Sequence, residues 1–521
     1  MSGLYQNTRR LILTAIAAAA ATTAGNLAAA VTSIKADLSA SNGDARIGVT
    51  AKATGSPTRT QRDKNREWIT LTDLGAVEGG DLAPAFLRAA AEGVRSLRAN
   101  VSGTLAQSIA LWPNLLIQAD PGVVVTVPAG TAIPNGLGVF DGNGKANITL
   151  VRLAVDASAS AGLPGLRLVG CPGVRVTDLS LLKCAVQVHG GVAKNKTLFE
   201  RPNIDMQGYA TTAMYLSGAD GVTITDPDCC NGLEGIVTYN ACRRIKVKGG
   251  ELHHFTGDGF MNVSGQVVDV EGTESHHNGQ SGFTTHRMTS ATDTRFVTFR
   301  GTKAYANGYD GFDIRGGNSE ENWGQPLIVT LTACHSWQNE KTGFFVVNAP
   351  GVQMVGCHAT QNKLPGIVVS NSPGTQLIGC DAITNAIASP ADVTAAGIWI
   401  LGSASVTILG CNSRNDLGAS QRFGITFNGD CSGSQVIGGD YQNNTVGPMS
   451  IGSPRVIVSG AAAQDVGNAF PLGASALGAG LEFGFGAPVH ARPVGMLFMR
   501  TDGGSGAELY QCNGGTNWTR V

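Results

Sequence analysis

The chain has 521 residues, a net charge of −1 at pH 7 and only 14% charged residues, but it contains 71 glycines. This length exceeds a single ordinary hydrophobic core, so more than one domain is expected. The near-neutral charge lacks the basic footprint of a nucleic-acid-binding protein, and no unbroken apolar run is long enough to span a bilayer. Neither a nucleic-acid partner nor a membrane span is therefore predicted.

Residues 1–38 form a charged and then alanine-rich segment. Arg9 and Arg10 precede the apolar run 11–21, a pattern similar to a secretory or twin-arginine signal. The alternative is a retained helix that attaches the chain to another protein or to copies of itself, and the sequence leaves both open. Residues 39–66 are polar and rich in Ser, Gly, Thr, Arg and Lys, which predicts a neck or linker.

Residues 67–99 carry the first family resemblance. Asp73-Leu-Gly-Ala76 is followed by a helix-like stretch at 82–91. This order resembles the beginning of phage tailspikes, which are β-helical, pectate-lyase-like proteins. In that family a strand leads through an acidic turn to a short helix that caps the β-helix. The chain departs from the family at 78–81, where Glu-Gly-Gly-Asp stands in place of the frequent paired aspartates.

Residues 100–460 contain a repeated phrase that ends in glycine and then phenylalanine or isoleucine. The second residue of this marker falls at positions 236, 260, 283, 312, 344, 367, 398 and 425. Short alternating apolar segments precede each copy, so the repeat is built from strands. Cys334, Cys357 and Cys380 are 23 residues apart. Three strands and their turns take up about 23 residues, which predicts an all-β, right-handed parallel β-helix.

Residues 461–521 lose this period and are predicted to form a small C-terminal β-module. The segments 493–502 and 508–518 resemble a module that is common at the ends of phage tail proteins. In that module two strands pair, and the second ends in Asn-Gly and a tryptophan. Trp518 is expected to be a core residue of the module rather than a ligand contact.

Carboxylates recur at one position of the repeat, directly before the marker glycine. The residues at this position are, in coil order, Glu234, Asp258, Ser281, Asp310, Thr342 and Pro365. Neighbouring coils lie about 4.8 Å apart. Glu234 and Asp258 would then match the carboxyl separation of retaining glycosidases, roughly 5–5.5 Å, and Asp258 and Asp310 the upper edge of the inverting range, roughly 6.5–9.5 Å. An aspartate before glycine can also simply close a turn through its own backbone.

Two outward positions after the marker add further candidates. Asp313 follows the marker of its coil, and Arg315 and His286 share a face with it on adjacent coils. We predict Glu234, Asp258, Asp310 and Asp313 as catalytic groups, with His286 and Arg315 beside them as substrate-binding groups. The alternative is a salt-linked surface cluster, since exposed ion pairs are common and contribute little to stability.

A ladder of ring side chains indicates the kind of ligand. His253, His276, Tyr305 and Trp337 occupy equivalent positions of successive coils, and flat amphipathic rings are what sugars stack on. The loop residues Glu320, Glu321 and Trp323 leave the same coil as Asp313 and are added to the predicted groove. The His253-His254 and His276-His277 pairs could bind a metal, but no Cys or carboxylate completes a recognisable spacing. No metal and no cofactor are therefore predicted.

The resemblance implies a phage tailspike: an attachment helix joined to tail or adaptor proteins of the virion, a neck, a capped β-helix and a terminal module, assembled as a homotrimer. Its groove would bind host cell-surface polysaccharide and depolymerise it by carboxylate-mediated glycoside hydrolysis. Three alternatives stay open. They are a polysaccharide lyase using His286 and Arg315, a receptor-binding adhesin without turnover, and a secreted bacterial β-helix enzyme if residues 1–38 are a signal.

Overall fold

The described part of the chain lies mainly between residues 68 and 460. The computed structural model describes residues 48–49, 59–60, 68–131, 133–134, 136–160, 162–190, 196–286, 295–316, 327–388, 395–417, 421–453, 455–460, 481–484, 497–500, 508–512 and 517–520. The predicted helix at 1–38 lies outside these residues. Of the predicted neck only Gly48–Val49 and Arg59–Thr60 are described, and they pair as two antiparallel strands.

Three long parallel sheets of 16, 13 and 14 strands form the body of the molecule, and each strand pairs with its counterpart in the next coil. Sheet A consists of Ile69–Thr70, Ser96–Ala99, Leu116–Ala119, Thr149–Val151, Arg175–Thr177, Thr197–Glu200, Val222–Thr225, Ile245–Lys248, Val267–Glu271, Arg295–Arg300, Leu327–Thr332, Gln353–Val355, Gln376–Ile378, Thr407–Leu409, Gln435–Ile437 and Ile457–Ser459. Sheet B consists of Gly103–Thr104, Val125–Thr126, Ala154–Asp156, Ser180–Leu182, Asn203–Asp205, Asp228–Cys230, Glu251–His253, Glu274–His276, Lys303–Tyr305, His335–Trp337, His358–Thr360, Asp381–Ile383 and Asn412–Arg414. Sheet C consists of Ile109–Ala110, Phe140–Asn143, Pro164–Val169, Ala185–His189, Met214–Ser217, Ile236–Tyr239, Phe260–Asn262, Phe283–Thr285, Phe312–Arg315, Phe344–Val347, Ile367–Ser370, Ala396–Leu401, Phe423–Asn428 and Gly447–Ile451. The chain visits A, B and C in turn, so the predicted all-β parallel β-helix is confirmed.

The inner columns of side chains hold the coils together. The marker phenylalanines Phe283, Phe312 and Phe344 are fully buried, and their rings stack at centroid distances of 5.0 and 4.8 Å. Each such side chain contributes about 1.5–3 kcal/mol when it is buried. Cys334 and Cys357 stack in another inner column as free, buried thiols, so they serve as small apolar residues there.

A ladder of buried asparagines supports the connection from sheet B to sheet C. Asn307 donates from Nδ2 to Asn339 Oδ1 at 2.9 Å, and Asn339 donates to Asn362 Oδ1 at 2.9 Å. The marker glycine lies against this ladder, because a Cβ added at Gly311 would lie 2.0 Å from Ser336 Oγ and 2.9 Å from Asn339 Nδ2. Close packing therefore requires the Asn and the Gly in these coils, where they hold the residue before the glycine in place.

The described residues contain one helix, α1 (Ala83–Ala91), which lies near the first coils. Asp81 Oδ1 accepts the Ala83 N–H at 2.9 Å, which satisfies a donor at the helix N-terminus. Phe86 is buried and packs edge-on against Phe140 at 5.6 Å. No helix within the described residues is both long and apolar enough to cross a membrane.

The final described strands form a separate four-stranded sheet. Leu481–Gly484 runs parallel to Leu497–Arg500, which pairs antiparallel with Glu508–Cys512, and that strand pairs antiparallel with Trp518–Arg520. The change from long parallel sheets to a small mixed sheet marks the point where the repeat ends.

Candidate active site on the outer face of sheet C

The carboxylates gather where the connection from sheet B enters sheet C. Phe260, Phe283 and Phe312 are in register in sheet C. Asp258 and Asp310, each two residues before its phenylalanine, therefore lie two coils apart in one column. Asp313 lies on the outer face of the strand Phe312–Arg315, in register with Thr284 and Phe345 on the adjacent strands.

Asp258 and Asp310 are buried, with 2% and 5% of their surface exposed. Asp258 Oδ1 accepts the Ser281 N–H at 2.8 Å, and Asp310 Oδ1 accepts the Thr342 N–H at 2.8 Å. Both bonds run to the next coil rather than to the aspartate's own turn. The two aspartates therefore also help to hold adjacent coils together. They do so through hydrogen bonds between coils, and not by closing their own turn, which was the alternative that the sequence suggested.

Burial raises the pKa of both aspartates far above their ordinary value of 3.8. For Asp258 the pKa rises to about 7, first because of desolvation and then because of the nearby charges of Asp313 and Glu234. For Asp310 it also rises to about 7, again through burial first and the charge of Asp313 second. Asp313 acts on both, so the three carboxyl groups form one electrostatic cluster.

Asp313 is held by an arginine on its own strand. Arg315 Nε lies 2.8 Å from Asp313 Oδ1 and 2.9 Å from Oδ2, and the Asp313 side chain is 7% exposed. This ion pair raises the pKa of the Arg315 guanidinium further. His286 is also within reach of the cluster: burial lowers the pKa of its imidazole, while Asp313 opposes and Arg315 reinforces that change. At neutral pH the site thus combines a charged ion pair with a neutral imidazole.

Glu234 lies at the edge of the cluster. It is one coil before Asp258 and half-buried, and its Oε2 accepts a hydrogen bond from Thr212 Oγ1 at 2.9 Å. Its charge contributes to the raised pKa of Asp258. The structure therefore brings Asp258, Asp310, His286 and Arg315 together around Asp313, and Glu234 joins this cluster only through Asp258.

The sequence prediction omitted two residues beside Asp310. The Lys341 ammonium lies 3.5 Å from the centroid of the Tyr309 ring, a cation–π contact, and its charge partly opposes the rise in the pKa of Asp310. The Tyr309 N–H bonds to Gln280 O and the Lys341 N–H to Tyr309 O, so these residues form the column next to the carboxylates. Aligning that column as well would have revealed both residues.

The predicted ring ladder exists, on sheet B. His253, His276, Tyr305 and Trp337 are in register, and successive rings stack at 5.1, 4.6 and 4.3 Å. Because each ring covers the face of the next, the ladder offers ring edges to a ligand rather than free faces. His276 is buried, with 8% of its surface exposed.

The ladder and the carboxylate cluster belong to different sheets. Four residues separate Tyr305 from Asp310 in the same coil, so the connection from sheet B to sheet C lies between them. Glu320, Glu321 and Trp323 lie outside the described residues, so their place relative to either group is not defined.

Residues 327–413 match the family model described as a right handed beta helix region. Among solved structures, a tailspike protein of Escherichia coli bacteriophage HK620 in complex with a pentasaccharide is similar with a TM-score of 0.53 and 13% identity, over 82% of this chain and 84% of that chain. The pre-mature gene product 12 of bacteriophage phi29 has a TM-score of 0.51 and 14% identity, over 75% of this chain and 56% of that one. The A-module of a mannuronan C-5 epimerase from Azotobacter vinelandii has a TM-score of 0.47 and 15% identity, over 75% of this chain and 98% of that one.

No curated protein has a significantly similar sequence. The chain is thus a right-handed parallel β-helix that shares its fold with phage tailspike proteins.

Proposed function

We propose that this protein binds a bacterial surface polysaccharide and hydrolyses its glycosidic bonds on the outer face of sheet C. The observation that carries the proposal is the pair of buried aspartates, Asp258 and Asp310, each with a pKa of about 7, beside the ion pair of Asp313 and Arg315. Hydrolysis of a glycoside needs one protonated and one ionised carboxyl group at the same pH, and this cluster supplies both.

Asp310 acts as the general acid. Its pKa of about 7 leaves a large protonated fraction at neutral pH, and a catalytic acid is most effective when its pKa lies near the working pH. The charge of Asp313 disfavours a second charge nearby, so the proton stays in the cluster. Asp310 can then donate it to the oxygen of the leaving sugar.

Asp258 acts as the general base when it is ionised. It lies two coils from Asp310, which is about 9.6 Å if each coil adds about 4.8 Å. This separation leaves room for a water molecule and is at the upper edge of the inverting range. Asp313, kept in place by Arg315, stabilises the positive charge that develops on the sugar ring in the transition state.

A lyase reaction is the second candidate, because His286 is neutral at neutral pH. Burial lowers the pKa of its imidazole, so the ring can accept a proton from the carbon beside a uronate carboxylate. Arg315, half-exposed on the adjacent strand, can bind that carboxylate. This chemistry would use the same face of sheet C but would produce an unsaturated uronate.

Product analysis separates these reactions. Purified protein is incubated with host surface polysaccharide, and new reducing ends and the ultraviolet absorbance of unsaturated uronates are followed together. Reducing ends without the absorbance support hydrolysis, whereas both signals together identify a lyase and refute the acid–base assignment. Binding without either signal refutes catalysis and leaves an adhesin.

We also propose that the chain assembles as a homotrimer in the tail of a virion and attaches to tail or adaptor proteins through residues 1–38. The shared fold with a phage tailspike supports this assembly. Light scattering of the full chain measures the mass, and a monomer would contradict the trimer. Sequencing of the mature N-terminus tests the alternative of secretion: a chain that keeps Met1 or Ser2 has not lost a cleaved leader.

A further inference from the structure

Three metal-binding side chains meet on the outer face of sheet B, at the start of the ring ladder. Asp228 and Cys230 project from one strand, and His253 projects from the next. One ligand atom from each residue, a carboxylate oxygen, the thiol sulfur and an imidazole nitrogen, lies within 4.8 Å of the other two. His253 Nε2 lies 3.2 Å from Asp228 Oδ1.

The surroundings of the thiol favour a cation. Cys230 is in register with Asp205 on one side and with His253 on the other. The Cys230 thiol therefore has Asp205 and His253 beside it on the adjacent strands and Asp228 on its own strand. A divalent cation bound among these carboxylates would neutralise their charge, and coordination would deprotonate the thiol.

Neighbouring side chains orient the three groups as the outer partners of a metal site do. His253 Nδ1 lies 2.7 Å from His254 Nδ1, so the nitrogen that does not face Asp228 already has a hydrogen-bonding partner. Asn231 Nδ2 contacts both Asp205 Oδ1 at 2.9 Å and Cys230 Sγ at 3.3 Å. A ligating histidine is normally fixed through its second nitrogen in this manner.

We propose that Asp228, Cys230 and His253 bind one Zn²⁺ ion. A thiolate with an imidazole favours zinc over magnesium or calcium, and zinc accepts a carboxylate as a further ligand. The Asp228 side chain is 54% exposed, so the fourth position opens to solvent and can hold water. Bound zinc fixes the ring of His253 and, through the stack, the position of His276 and Tyr305. This site goes beyond the proposed hydrolysis and does not depend on it.

Cobalt provides a direct readout, because thiolate-bound Co²⁺ gives a charge-transfer band in the near ultraviolet. Full-length protein without a histidine tag is freed of metal with a chelator and titrated with Co²⁺ and then with Zn²⁺. We expect the band to saturate at one ion per chain and to be displaced by Zn²⁺. The band is expected to be absent in Cys230→Ser, and the affinity to fall by about tenfold or more in Asp228→Asn and His253→Gln.

His358→Gln is the matched control. His358 Nδ1 pairs with Asp381 Oδ2 at 2.9 Å on the same outer face of sheet B, but no thiol lies in that pair, so the band should be unchanged. A wild-type protein without the band, or a Cys230→Ser protein that keeps it, overturns the proposal. Should Cys230→Ser fail to fold, alkylation of Cys230 in the wild type is measured by mass spectrometry. Zn²⁺ must slow that alkylation, and an unchanged rate also overturns the proposal.

Discussion

Replacing Asp310 by asparagine should lower turnover by orders of magnitude and, at neutral or alkaline pH, make the protein more stable. The amide cannot donate the proton that hydrolysis needs, so kcat should fall about 10²–10⁴-fold. Its Oδ1 can still accept the Thr342 N–H that Asp310 accepts now at 2.8 Å. The asparagine also removes a charge that is buried close to Asp313, and this removal is the source of the added stability.

The size of the stabilisation follows from the pKa of Asp310. The pKa is 3.8 for an ordinary aspartate and about 7 in the folded protein, and each pKa unit corresponds to about 1.4 kcal/mol. Below pH 3.8 both the folded and the unfolded chain carry the proton, so Asp310 costs nothing. Between 3.8 and about 7 only the unfolded chain releases it, and folding loses stability as the pH rises. The loss reaches roughly 4 kcal/mol above pH 7.

The assay compares wild type and Asp310→Asn by denaturant unfolding or thermal melting at pH 4 and pH 8, alongside the reducing-end assay. We expect the variant to be more stable at pH 8 and the difference to shrink at pH 4. Asp178→Asn is the control, because Asp178 is an exposed partner of Arg201 at 2.8 Å and should change stability by less than about 1 kcal/mol. An Asp310→Asn protein with a kcat close to that of wild type, or with lower stability than wild type at pH 8, would refute the reasoning.

Three further predictions concern the same region. Activity should fall as the pH rises above about 7, because Asp310 then loses its proton; a kcat/KM profile that stays flat to pH 9 would contradict this. Arg315→Lys should lower kcat about tenfold or more, because one ammonium cannot reproduce the contact of Nε with both oxygens of Asp313; unchanged kinetics would remove Arg315 from the site. Asn339→Ala should destabilise the protein by about 2 kcal/mol or more, because it removes the buried acceptor of Asn307; an equal unfolding midpoint would show that the ladder contributes little.

The fold could be predicted because close packing requires the same residue types in several successive coils. Gly311 has no room for a side chain, and Asn307 and Asn339 bond to each other across coils. These requirements appear in the sequence as a motif that is repeated at a nearly regular spacing. Residues at equivalent positions of successive coils could therefore be aligned from the sequence alone. The neighbourhood of Asp258, Asp310 and Asp313 follows from that alignment alone.

Features that depend on the direction of a side chain were not predictable. The rings of His276 and Tyr305 stack face to face, with their centroids 4.6 Å apart. Neighbouring rings therefore cover each other's faces, and the spacing of the residues in the sequence does not reveal this. The meeting of Asp228, Cys230 and His253 was missed for another reason: the histidine is 23 residues beyond the cysteine. Metal sites are usually recognised by ligands that are close in sequence, whereas a β-helix brings ligands together across a whole coil.

The strongest argument for catalysis is that aspartate, and not another residue, stands directly before the marker glycine at Asp258 and Asp310. Coils with Thr342 or Pro365 at this position pair with their neighbours in the same register, so the fold does not require an acid there. The next coil does need an acceptor for its N–H, but asparagine would satisfy that need without a buried charge. Asp258 and Asp310 instead destabilise the protein at neutral pH, because each has a folded pKa of about 7. This loss of stability is explained if the two aspartates donate protons at neutral pH, because active sites commonly sacrifice stability for reactivity.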